Sequence, residues 1–146
     1  AISFGVLAVL QATLASLVAG HIYGLDIAGP QWMLIVIAVA DAVLGTMLGL
    51  LASAFARTEF QALQFMPAFI LPQVLLGGLL VPVALLPSAL ETVANVLPLT
   101  YAIDAMQRVS HEAVLSDRVY LDIAVVLGFA LVAVLLGAVT LKRQIK

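Results

Sequence analysis

The chain has 146 residues, of which 64% are apolar and only 10% charged, whereas soluble domains carry about 45–50% and about 25%. Folded in water, it would have too few polar groups to cover its surface, so hydrocarbon is the solvent that suits it. A net charge of −2 without a basic stripe gives no footing for nucleic acid, and the lack of cysteine removes thiolate metal sites.

Crossing about 30 Å of hydrocarbon takes about 20 apolar residues in a helix, because backbone groups facing lipid have no water to bond. No segment shows the polar alternation of a membrane barrel. The expected fold class is therefore all-α: a polytopic transmembrane helical bundle of four spans plus a short re-entrant helix pair. The first span, 1–20, carries no charge. No charged region precedes its apolar run, which distinguishes it from a signal peptide. Ala1 is not a start methionine, and the chain is expected to begin partway through a larger membrane protein.

The second span covers about 32–55 and holds one charge, Asp41. A carboxylate at that depth costs about 2.5–3.5 kcal/mol on insertion scales, so it should face protein or a cavity. It fits a proton, cation or cationic-substrate site, or a packed aspartate bonded to a neighbouring helix, for example through Gln11. Ala38, Ala42, Gly45, Gly49, Ala52 and Ala56 form a stripe of small residues along the same helix. Such a stripe allows close helix approach, either within one subunit or at a seam between two.

Between Glu59 and Glu91 lie thirty-one residues without an ionisable side chain. As one helix they would reach about 46 Å, too long for a single crossing. The third span is placed at about 64–82, with Pro67 and Pro72 bending it and Gly77, Gly78 and Pro82 loosening its outer end. Gln64, Phe65, Phe69, Gln73 and Leu76 approximate one mixed polar and aromatic face. That face suits an amphipathic substrate or ordinary core packing.

After Pro87, "SALE" (88–91) reads as a capping box that starts a short helix ending near Leu97, since Pro98 follows. A second short helix is expected from about Thr100 to Ala113, with Asp104 and Arg108 at i,i+4. The pair, about 88–113, is too apolar for an ordinary loop and too broken for a crossing. A re-entrant hairpin in the outer leaflet satisfies both facts, provided protein or a wet cavity covers it. Glu91, Asp104 and Arg108 fit either an outer gate or headgroup-level charges. Tyr101 and Tyr120 suit the interfacial aromatic belt. The fourth span, about 121–141, runs into the basic tail "LKRQIK". Arg57, Lys142, Arg143 and Lys146 fall on one side, against Arg108 and Arg118 on the other. By the positive-inside rule the C-terminus is cytoplasmic.

The ordered series "LLASAFARTEFQA", "FMPAFILPQVLLGGLLVPVALLP" and "LPLTYAIDAMQRV", followed by a last span with a basic tail, resembles the C-terminal part of type-2 ABC export permeases. That group includes drug, lipid and polysaccharide exporters. The matching positions are Pro67, Pro72, Gly77, Gly78, Pro82, Pro98, Leu99, Thr100, Tyr101, Asp104 and Arg108. The resemblance implies six spans, of which these four would be the third to sixth. It also implies that the proline-bearing span lines the central path. It further implies a second permease subunit, homo- or heterodimeric, and ABC ATPase subunits carrying ATP and Mg, in a multi-pass cell-membrane protein. The coupling helix that touches the ATPase has no counterpart among these residues, although "ARTEFQA" (56–62) forms an inner loop.

The chain contains no G-x-x-x-x-G-K-[ST] phosphate loop. His21 and His111 lie in separate outer segments, without paired metal spacing. It is therefore expected to be no enzyme by itself, with no cofactor of its own, no metal site and no catalytic residue. Two other readings compete. A secondary-transporter fragment would predict an inverted repeat, which these four spans do not show. A non-transporting membrane scaffold would need neither a proline-bent span nor a re-entrant pair.

Overall fold

The computed structural model describes residues 2–21, 27–56 and 58–144. Residues 22–26, expected in an outer loop, and Arg57 and Lys146, on which the expected orientation partly rests, lie outside them. Six helices follow in order: α1 (Ile2–His21), α2 (Gln31–Phe55), α3 (Glu59–Leu76), α4 (Ser88–Ala94), α5 (Pro98–His111) and α6 (Asp117–Gln144). A single 3-10 turn, Val83–Leu85, precedes α4, and no strand occurs among the described residues. The chain is an all-α helical bundle, as composition demands.

Among the described residues, three stretches are long and apolar enough to cross a membrane: Ser3–Gly20, Gln31–Phe55 and Asp117–Gly137. Three hydroxyls within the first two helices are satisfied locally: Thr13, Ser16 and Thr46 each donate to the carbonyl four residues back. The expected third span, 64–82, is displaced. α3 starts earlier, where the Thr58 hydroxyl accepts the Gln61 amide at 3.1 Å and caps the helix. It continues through Pro67 and Pro72, then stops at Leu76. The Gly77 amide closes the last turn on the Gln73 carbonyl at 2.8 Å. Gly78 then takes φ +94°, a left-handed conformation natural to glycine. The apolar part of α3, Leu63–Leu76, measures about 21 Å, shorter than the hydrocarbon.

The expected helix pair also differs in its caps. Pro87, not Ser88, is the N-cap of α4, and its carbonyl accepts the amides of Leu90 and Glu91. Ser88 is already helical, so no capping box forms. Pro98 does not merely stop α4. It opens α5 at the first helical position, where a missing N–H costs nothing. The two residues that follow Leu99 close the preceding helix: Thr100 Oγ1 donates to the Ala94 carbonyl at 2.6 Å, and Tyr101 Oη to the Asn95 carbonyl at 2.7 Å. A Pro-Leu-Thr-Tyr sequence thus starts one helix and satisfies the orphan carbonyls of another. Thr100→Val removes one of two donors to the Ala94 carbonyl, which keeps the Leu97 amide at 3.0 Å, and should cost about 1 kcal/mol, as should Tyr101→Phe. Thermal unfolding of the purified protein in detergent reads both.

α5 is amphipathic. Ala102, Ile103, Ala105 and Val109 are buried, while Asp104, Gln107 and Arg108 lie on its other faces. The buried side seats between α2 and α6. One cluster joins Met33 and Ile37 of α2 to Ala105 and Val109 of α5 and Val119 of α6. The second joins Ala40 and Leu44 to Ala102, Val126 and Ala130. Between Met33 and Leu44, α2 rises about 16 Å. α5 therefore runs alongside the N-terminal halves of both long helices, which cover its backbone. Its C-terminal end is held as well: the amides of Ala28 and Gly29 donate to the carbonyls of Ser110 (3.1 Å) and Val109 (3.0 Å). α1 packs along α2, and α3 touches α2, α4 and α5 more sparsely.

Candidate functional site: hollows on either side of Asp41

α2 and α3 diverge enough to leave a hollow of about 400 Å³ between them. α2 contributes Asp41, Leu44, Gly45, Leu48, Gly49, Ala52 and Ser53; α3 contributes Phe65, Phe69, Ile70 and Gln73; Leu99 of α5 completes the lining. The hollow owes its width to the small residues. A Cβ added at Gly45 or Gly49 would meet nothing within 4 Å. The centre of the stripe therefore borders open space rather than a helix of this chain.

Phe65, Phe69 and Gln73 recur every four residues and share one side of α3. The two rings meet edge to face with centroids 6.4 Å apart. Gln73 Nε2 donates to the Phe69 carbonyl at 3.1 Å, inside its own helix. Four of the six expected path residues, Asp41, Phe65, Phe69 and Gln73, thus line one hollow. Gln64 and Leu76 do not: Gln64 is exposed about 100° around the helix, and Leu76 is its last residue, beside Gly77. Ile70 takes their place on that side.

Asp41 also lines a second hollow of about 540 Å³ on the α1 side of α2, together with Gln11, Ser16, Ala38, Ala42 and Met106. The carboxylate is partly buried and makes no hydrogen bond or ion pair with any described residue. The bond to Gln11 considered from the sequence is not formed, although both groups face the same space.

The other end of α5 carries the ionic groups. Asp104 Oδ2 lies 3.0 Å from Arg108 Nε, and Arg108 Nη1 lies 3.6 Å from Glu112. That hydrogen bond to Asp104 pushes the Arg108 guanidinium above its usual basicity. From α6, Arg118 Nε approaches Asp104 at 3.9 Å and Asp122 at 3.3 Å. The expected trio Glu91, Asp104 and Arg108 is accordingly divided. Glu91 shares a third hollow, of about 340 Å³, with Gly77, Gly78, Pro82, Tyr101 and Asp104, but forms no ion pair. Gln107 Nε2 reaches across this hollow to the Gly78 carbonyl at 3.2 Å and ties α5 to the turn after α3. Arg118, Asp122 and Gln107 were absent from the sequence-based candidates. The i,i+4 spacing of Arg118 and Asp122 was a readable signal, whereas the reach of Gln107 to Gly78 left none.

A bundle with several helices long and apolar enough to cross a bilayer marks a membrane protein. The chain belongs to the ABC-2 type transporter family, whose profile matches residues 1–110. Among curated proteins it is similar to the ABC transporter G family member 20 of Dictyostelium discoideum, 28% identical over 142 residues. That match covers 96% of this chain but 20% of the relative, so the chain spans about a fifth of that protein. No solved structure gives a significant match.

Proposed function

We propose that this chain forms part of the permease unit of an ATP-driven exporter that moves a hydrophobic or amphipathic molecule out across the membrane. The observation that carries the reading is the hollow between α2 and α3, with two aromatic rings, one amide and one carboxylate converging on otherwise aliphatic walls. Its volume lies within the range of small-molecule sites, and its lining has their usual composition. Family membership supports ATP as the energy source, with the phosphate-binding loop on ABC ATPase partners rather than among these residues. The basic tail supports a cytoplasmic C-terminus. A second permease unit would complete the path on the open side of Gly45 and Gly49.

The test uses the intact transporter in inside-out vesicles and follows ATP-dependent uptake of a fluorescent amphiphile. Gly49→Leu projects a side chain into the hollow and should cut uptake about tenfold or more. Gly128→Leu, on α6 where an added Cβ also meets open space, should leave it unchanged. Uptake that ignores ATP, or that survives Gly49→Leu at full rate, would overturn the proposal.

A further inference from the structure

We infer that the hollow between α2 and α3 selects organic cations: an amphipathic molecule whose fixed positive charge sits at Asp41 and whose apolar body lies against Phe65 and Phe69. The inference rests on the cargo-site reading above and adds the sign of the cargo's charge.

Asp41 is the one ionisable side chain lining this hollow. It stands ten residues into α2, about 15 Å from Gln31, with fourteen more residues to Phe55. A carboxylate so far from both helix ends needs a compensating partner. None of the described residues supplies one. Arg108 and Arg118 are engaged with Asp104, Glu112 and Asp122. Among the described residues that place is empty, and a positive charge on the cargo would fill it.

The walls say what kind of charge. A bare metal cation collects six or more oxygen ligands, and no group of three His, Cys, Asp or Glu residues is gathered among the described residues. Apart from Gln73, the α3 wall of the hollow is aromatic and aliphatic: Phe65, Phe69 and Ile70. Aromatic faces attract cations and pack apolar groups at once. A small hydrated ion gains nothing from such walls, whereas an organic cation matches both the carboxylate and the rings.

Tetraphenylphosphonium and tetraphenylborate share size and shape but carry opposite charge, and N-phenyl-1-naphthylamine is a neutral amphiphile. Binding of each to the detergent-purified intact transporter is measured for the wild type, Asp41→Asn, Asp41→Glu and Gly49→Leu. The wild type should bind the phosphonium about tenfold or more tightly than the borate. Asp41→Asn should erase that preference, Asp41→Glu should keep most of it, and the neutral probe should bind equally in all three proteins. A wild type that binds both ions alike overturns the inference without recourse to any variant, as does an Asp41→Asn protein that retains the preference. If charge makes no difference while Gly49→Leu still expels the neutral probe, the cation selectivity fails and the cargo site stands. If Gly49→Leu expels none of the three, the cargo-site reading itself falls.

Discussion

Arg118→Met should lower the stability of the protein by about 3 kcal/mol, more than any other single change of a charged residue here. The reason lies with its partner. Asp122 is completely buried, neither of its carboxylate oxygens makes a hydrogen bond, and Arg118 at 3.3 Å is its nearest compensation. Breaking a buried pair by removing one member typically costs about 3–5 kcal/mol, because the other charge is left stranded. Arg118 is about half exposed, with 52% of its side-chain surface accessible, which places the effect at the low end. Removing both charges should cost less. The double variant Arg118→Met, Asp122→Leu should be more stable than Arg118→Met alone, since it leaves no orphan carboxylate. Thermal unfolding of the four proteins closes the cycle. A double variant as unstable as the sum of the singles would show that Asp122 is sustained by something other than Arg118.

Gly29→Ala should be nearly as damaging, at about 2–4 kcal/mol, although it adds a single methyl group. Its Cβ would stand 2.6 Å from the Val109 carbonyl oxygen and 2.9 Å from that of Glu112, both backbone atoms with nowhere to retreat. Relieving the clash means pulling the segment before α2 away from α5 and losing the bonds from Ala28 and Gly29 to its last turn. Hydrogen exchange should therefore rise at the C-terminal end of α5 as the unfolding temperature drops. Gly45→Ala is the counter-example. There the new Cβ meets no atom of this chain, and the gain in helix propensity is about 1 kcal/mol. Equal effects at the two positions would contradict the packing described above.

Why some of this could be read in advance is a question of range. The apolar runs and their lengths report solvent, and solvent acts on every residue, so α1, α2 and α6 were visible in composition alone. Of the prolines and glycines after Phe65, Gly77 and Gly78 mark where α3 ends, whereas Pro67 and Pro72 lie inside it. Helix caps escaped for the opposite reason. Ser88 has the right side chain for a cap, but the carbonyl of Pro87 had already taken the role, and Thr100 and Tyr101 spend their hydroxyls on a different helix. Asp41, Phe65, Phe69 and Gln73 were legible together because a membrane helix carries few polar groups and four-residue spacing assigns them a side. Gln64 was misassigned by a single 100° step. Asp122 falls inside the expected fourth span, about 121–141, with no local sign that it is buried. Its burial beneath α5 depends on how two distant segments meet, which no local pattern records.

The two buried clusters are built from α2, α5 and α6, and α3 belongs to neither. That division has a mechanical consequence. Helices locked by a shared interior behave as a frame, while one leaning on the frame from outside behaves as a shutter. Swinging α3 outward would widen the space beside Asp41 without disturbing a packed layer. The tether from Gln107 to the Gly78 carbonyl would act as the hinge pin at one end. The work of opening is then set by a few surface contacts.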